Sequence, residues 1–387
     1  MRIAPALLAA VLQACTLPAA QAEPIVPRSD DEVVERLGGA SSDRAEDRRL
    51  RRELAARPGD AQLAAAVARR HLAKARALGD PRHAGLALAA LQHWPDAAGA
   101  PDEVLLLQAT LDQYLHDFDA ASARLEQLLA RTSRQPQAWL TLATLRRVQG
   151  RYADSDAACA QLAASGAALH ARACRAENDA LRGRFDTARG ELKRLLATPA
   201  LDAATRGWLL TTLAEMEERA GAPVAADAAW QAALAAEPTP YALIGRADRL
   251  LADGRPAEAL ALLAGQPDSD AVLLRRAIAA RRSGAPTAAA QASEIRGRMA
   301  LADQRTRSQV FHGREQAMLA LWLDDDASRA WQLARANVER QREPTDLLVL
   351  AHAAHAAHPS GDAAARREVA ELVRTLGLVD RRIEALR

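Results

Sequence analysis

Apolar positions recur along this chain at helical spacing, and a turn signal interrupts them at nearly regular intervals. From Pro136 onward, Trp139, Leu142, Ala143 and Leu145 share one helical face, Gly150 offers a turn, and a second helix follows through Ser155, Cys159 and Leu162 towards Ala164. That pattern predicts a pair of antiparallel helices. Its turn signal, a turn residue with a small residue five places later, recurs at Gly79, His116, Gly150, Gly183, Gly221, Gly254, Gly284, Asp325 and Ser360, at spacings of 37, 34, 33, 38, 33, 30, 41 and 35 residues. Self-similarity at this period marks a helical repeat array.

The register carries two small-residue positions. Seven positions before the turn stand Ala109, Ala143, Ala176, Ala214, Ala247, Ala277 and Ala353. Five after it stand Ala84, Ala121, Ser155, Ala188, Ala226, Ala259, Ala289, Ala330 and Ala365. Small side chains there let helix backbones approach closely. Two residues after the turn comes an aromatic or a proline, as in Pro81, Phe118, Tyr152, Phe185, Pro223, Pro256 and Pro286, placed to cap the second helix or cover the corner. Between Gly284 and Asp325 the spacing swells, predicting longer helices over about Pro286–Leu301 and Arg305–Leu323.

Composition narrows the class. Alanine is about a quarter of the 387 residues and aromatics are 3%, and no run of alternating β-branched residues reads as a strand, so the expectation is all-α. An array whose repeats touch only their neighbours reaches this length as one elongated domain. Apart from Lys74 and Lys193 the basic residues are arginine, and with 49 acids the net charge is only +2, which gives no support to a nucleic-acid or anionic-membrane partner.

A repeat near 34 residues bearing Trp139, Ala143, Gly150, Tyr152 and Ser155 resembles the tetratricopeptide repeat, with copies from about Asp60 to about Thr375. The chain is similar to exported bacterial proteins of this family. The resemblance implies a right-handed superhelical solenoid of about nine repeats, occupying residues 59–375, with a C-terminal capping segment over 376–387. Departures are His116 and Asp325 at the turn, and Arg146, Asp179 and Glu217 where the family carries an aromatic. Ahead of the array, residues 23–58 read as an arm with a short helix over Asp31–Leu37 and a capping helix from about Ser42 to Arg57, stopped by Pro58 and Gly59.

Carried over by resemblance, first helices line a concave wall, and their outward positions form the expected groove: Gln113, Tyr114, Thr144, Arg147, Glu177, Trp208, Thr212, Glu215 and Tyr241. Aromatics, hydroxyls and charges in one groove suit a protein or extended peptide. The carboxylate-gripping set of some family members is not matched: Arg69 and Arg70 stand at two of its positions, but Leu106, Thr110, Leu140 and Thr144 follow. No phosphate loop, His-Glu-x-x-His, Cys-x-x-Cys or Gly-x-Ser-x-Gly motif occurs, so neither a catalytic set nor a cofactor site is read. His352, His355 and His358, at helical spacing, form a weak metal candidate without a nearby carboxylate or thiolate.

The N-terminus suggests export. Arg2 precedes an apolar run from Ile3 to Leu12, and Ala20-Gln21-Ala22 offers a small-x-small cleavage site, so residues 1–22 read as a signal peptide that delivers the chain to the periplasm. The run is too short to span a bilayer. Leu12-Gln13-Ala14-Cys15 resembles a bacterial lipoprotein box, leaving open an outer-membrane lipoprotein anchored through Cys15. Cys159 and Cys174 fall on successive helices, where an oxidising compartment would permit a disulfide; two separate buried thiols are the alternative. The sequence reading is therefore a non-enzymatic envelope scaffold whose partner is another envelope protein or a peptide.

Overall fold

His116, Gly150, Gly183, Gly221, Gly254, Gly284 and Asp325, with Gly79 before them, all carry positive φ, and each lies between two helices. The turn signal in the sequence is thus a left-handed backbone residue closing a helical hairpin. His116 at φ 60° and Asp325 at φ 54° hold this conformation without being glycine, in keeping with the tolerance of His and Asp for it.

The computed structural model describes Ser29 and residues 41–305, 313–357 and 363–386. The signal peptide, Cys15, the helix expected over Asp31–Leu37, the turn at Ser360 and His358 lie outside the described residues. Two units divide the chain, Met1–Arg49 and Leu50–Arg387. Helix α1, Ser41–Ala56, crosses the boundary. Within the second unit the hairpins are α2 (Ala61–Leu78) with α3 (Pro81–Ala90), α4 (Asp102–Tyr114) with α5 (Phe118–Arg131), α6 (Pro136–Val148) with α7 (Tyr152–Ala164), and α8 (Ala168–Leu181) with α9 (Phe185–Leu196). They continue as α10 (Ala203–Arg219) with α11 (Pro223–Ala236), α12 (Pro240–Ala252) with α13 (Pro256–Leu263), α14 (Asp270–Ser283) with α15 (Ala288–Arg305), α16 (Gly313–Trp322) with α17 (Ala327–Asn337), and α18 (Pro344–Ala357) with α19 (Ala363–Leu376). A short α20, Arg381–Glu384, ends the described chain.

Local chemistry sets the helix ends. Pro81, Pro223 and Pro256 open second helices two residues after the turn, where a missing N–H costs nothing. Phe118, Tyr152 and Phe185 open theirs at the same place and are buried. Asp60, Asp117, Asp202, Thr239, Ser269 and Asp326 accept backbone N–H bonds at helix starts.

All seven alanines ahead of the turns are at most 2% exposed, as are Ala84, Ala121, Ser155, Ala188, Ala226, Ala259 and Ala330 after them. Ala289 departs from this rule. Helix α15 begins at Ala288 instead of Pro286, two residues late, so Ala289 faces solvent and Ala292, Ile295 and Met299 take the inward places. The sequence register slips by three residues there because the extended turn delays helix entry. The helix expected from Arg305 is described only from Gly313.

First helices of successive hairpins pack on one another in two runs, α2 on α4, α4 on α6, α6 on α8 and α8 on α10, and then α12 on α14, α14 on α16 and α16 on α18. Family aromatics lost at Arg146, Asp179 and Glu217 are replaced by ion pairs: Arg146 with Glu126, Asp179 with Arg184 at 2.5 Å, and Glu217 with Arg189 at 2.6 Å. Cys159 of α7 and Cys174 of α8 are joined by a disulfide with Cα atoms 5.9 Å apart.

Late segments return to early turns. The Arg342 N–H donates to the Val148 carbonyl at 2.7 Å, and the Val379 N–H to the Leu181 carbonyl at 2.9 Å. A Cβ at Gly150 would stand 2.6 Å from Leu376, and one at Gly183 would stand 2.9 Å from Val379, so both glycines are needed for close approach as well as for φ. Residues 377–386 therefore form a strap across the turns of the fourth and fifth hairpins, with Val379 at Gly183 and Arg381 at Gly221.

A candidate partner-binding interior

The expected groove residues do not share one environment. Tyr114 is turned towards α2, its hydroxyl donating to the Ala75 carbonyl at 3.0 Å, so it ties the first two hairpins together. Gln113 is half-buried beside it. Thr144 and Thr212 donate to the carbonyls one turn back, Leu140 at 3.0 Å and Trp208 at 3.1 Å, and Thr212 is buried. Arg147 is buried too, pairing with Glu177 at 2.9 Å and donating to Thr144 Oγ1 at 3.2 Å and Cys174 Sγ at 3.5 Å. Burial in a tight ion pair makes Arg147 a part of the wall; the expectation that it and Thr212 present themselves to a ligand is corrected accordingly.

A second group remains open to the interior. Trp208 on α10 is half-buried and stacks on His170 of α8, ring centroids 5.5 Å apart. Tyr241, at the start of α12, is 60% exposed while its hydroxyl donates to Glu215 Oε1 at 2.5 Å. Surrounding protein desolvates the Glu215 carboxyl and pushes its pKa up to about 7, against the opposing pull of Arg219 and the Tyr241 hydrogen bond, while Glu177 and Glu343 push the same way. The Tyr241 phenol is held well above its ordinary value, first by Glu215, then by burial and by Glu343. The Tyr241 ring is thus open to solvent while its hydroxyl is tied to Glu215.

Sequence reasoning missed what encloses it. Arg314 on α16 pairs with Glu343 at 3.1 Å and Asp346 at 3.4 Å; Asp346 also accepts from Asn337 Nδ2 and from the Glu343 N–H, both at 3.0 Å. These residues stand between 73 and 105 positions beyond Tyr241 in the sequence, and only the superhelical path brings them near it. Glu218 on α10 likewise accepts from Trp230 Nε1 at 2.8 Å and pairs with Arg382 of the strap. No local pattern in the sequence signals a pair 164 residues apart.

Left-handed turns and small residues at both crossing positions define one hairpin repeat running along the described chain. The array is a solenoid of helical hairpins similar to tetratricopeptide repeats. No family model matches the chain, and no curated protein matches its sequence. Similar solved structures include a tetratricopeptide repeat protein from Parabacteroides merdae ATCC 43184, 14% identical over 65% of this chain and 98% of that one, TM-score 0.38. The human IFIT1 dimer with PPP-AAAA is 14% identical over 77% of this chain and 69% of that one, TM-score 0.44. The P58(IPK) tetratricopeptide domain is 16% identical over 80% and 98%, TM-score 0.23. Such distant likenesses concern the fold alone.

Among the described residues no three His, Cys, Asp or Glu side chains stand where they could hold a metal ion. His352 packs its ring edge-on against Trp322 at 5.9 Å, and burial, with Arg282 and His355, lowers its pKa to about 4. A cation brought to His352 would meet the Arg282 guanidinium. No helix among the described residues is long and apolar enough to cross a membrane.

Proposed function

We propose that this protein is a non-enzymatic interaction scaffold of the bacterial cell envelope that holds a protein or extended peptide against the inner wall of its repeats. The observation that carries this reading is Tyr241, a large aromatic left 60% exposed on a first helix between Glu215 and the charges of Arg314 and Glu343. A rigid aromatic beside polar groups provides contact area with little ordering cost on the scaffold's side. The leader-like residues 1–22 support export, with lipidation at Cys15 the alternative address.

Affinity capture of the tagged protein from its own cells, followed by mass spectrometry, tests the groove. One envelope protein should be enriched with wild type and lost with Trp208→Ala/Tyr241→Ala, while circular dichroism shows the helix content unchanged. Equal enrichment with the variant would place the contact elsewhere. Intact mass of the mature chain separates cleavage after Ala22 from lipidation at Cys15.

A further inference from the structure

Helix α8 breaks the apolar register of its neighbours. Eleven and eight places before the turn, α6 carries Trp139 and Leu142 and α10 carries Leu210 and Leu213, all buried or half-buried, whereas α8 carries Arg172 and Arg175, both exposed. A cleft of about 320 Å³ opens at that place between the second helices α7 and α9. Arg172, Arg175 and Asp179 of α8 form its floor, with Asp156 of α7 on one side and Glu191 and Arg194 of α9 on the other. Its charges do not balance. Arg172 donates through Nε to Glu191 Oε1 at 2.5 Å, Arg194 pairs with the same carboxylate at 2.7 Å, and Arg175 has no ion pair among the described residues. Both Asp156 oxygens are taken by groups beyond the lining, Arg182 at 2.5 Å and Asn178 at 2.7 Å, and Asp179 is paired with Arg184 at 2.5 Å. One carboxylate thus answers three guanidiniums, and counted with these partners the cleft has five arginines against three acids. The Arg172 hydrogen bond first, and then Arg194 and Arg175, hold the Glu191 carboxyl below its ordinary value.

Arginine at a place where neighbouring hairpins pack apolar side chains sets a local choice against the fold, and such departures mark functional sites. The cleft is also braced: Cys174, which stands between the two arginines in sequence, is joined to Cys159 of α7, so floor and one side are tied covalently. Guanidinium forks take carboxylates through two parallel hydrogen bonds, and forks held in place lose little entropy on binding. The excess charge is spread along the cleft around Glu191, so a chain bearing several carboxylates matches it better than a single oxyanion does. We propose that this cleft is a docking site for an extended acidic segment of a partner protein, whose Asp or Glu side chains take the forks of Arg172, Arg175 and Arg194. The cleft shares no residue with the Trp208 and Tyr241 surface, so the two sites stand or fall separately.

Fluorescence anisotropy of the intact protein with a short labelled peptide of alternating Glu and Ala tests the site, the same peptide with Gln for Glu serving as control. Saturable binding of the Glu peptide is expected, weakening as salt is raised, with none of the Gln peptide. Arg172→Leu/Arg175→Leu restores the apolar character of the neighbouring hairpins and should weaken binding about tenfold or more with helix content unchanged. If that variant does not fold, Arg175→Gln, which breaks no ion pair, carries the comparison with a several-fold loss. Trp208→Ala/Tyr241→Ala should bind the Glu peptide as wild type does, which separates this site from the interior one. The absence of saturable binding, equal binding by the arginine variants or of the Gln peptide, loss with Trp208→Ala/Tyr241→Ala, or displacement by an equal concentration of inorganic phosphate overturns the proposal.

Discussion

Ala143 and Ala214 are wholly buried at the crossing point inside their hairpins. Replacing either by Leu should overpack the crossing and cost roughly 1–3 kcal/mol in chemical denaturation; an unchanged midpoint for both would show the small-residue register to be misplaced. Gly245 obeys the same logic, since a methyl there would run into the Trp230 indole. Glu215 sets a pH dependence. Its native pKa of about 7 lies above the ordinary value of 4.5, so between those pH values the folded state holds more proton than the unfolded one. The contribution of Glu215 to stability is therefore lost as pH rises through that window, with Arg219, Glu177, Glu343 and Tyr241 the groups facing it. Melting temperatures from about pH 5 to pH 8 should fall less steeply for Glu215→Gln than for wild type, and a steeper fall for the variant would refute the assignment. Arg147, for its part, belongs to stability: charge reversal would leave Glu177 facing a like charge in a buried place.

At the scale of elements, much was legible because each hairpin is a local object. Turn, small residues and helix-opening proline or aromatic lie within one repeat, so periodicity alone places them. Legibility failed in two ways. Pro286 resembles Pro223 and Pro256, but the turn after Gly284 runs on to Ala288, and nothing in the local pattern distinguishes the longer entry. The groove list failed where a first-helix side chain can turn sideways to a neighbouring helix, as Tyr114 does to Ala75 and Arg147 to Glu177. The disulfide between α7 and α8 closes a separation of 15 residues, for which loop-closure entropy gives about 3 kcal/mol. Reductant, or Cys159→Ser with Cys174→Ser, should lower the denaturation midpoint by a comparable amount, and no change would mean that neighbouring repeats hold these helices together without the bond.

For the molecule as a whole, the consequential contacts are those between turns of the superhelix, and these were illegible in the sequence. The strap is tied down by the Val379 N–H bond to Leu181 and by Arg382, which reaches both Asp380 and Glu218. Arg382→Ala should speed hydrogen exchange over residues 377–386 and around the turns at Gly183 and Gly221, leaving exchange in α2 to α5 as it is; uniform acceleration would mean that the strap supports the whole array. The central claim is that a partner enters the interior, and a photo-crosslinking amino acid tests it most directly. It is placed in cells at position 241 on a first helix and, separately, at Val224, which is 84% exposed at the start of the second helix α11. The account predicts a discrete adduct from position 241 and none from 224, whereas an adduct from 224 alone, or from neither, would contradict it.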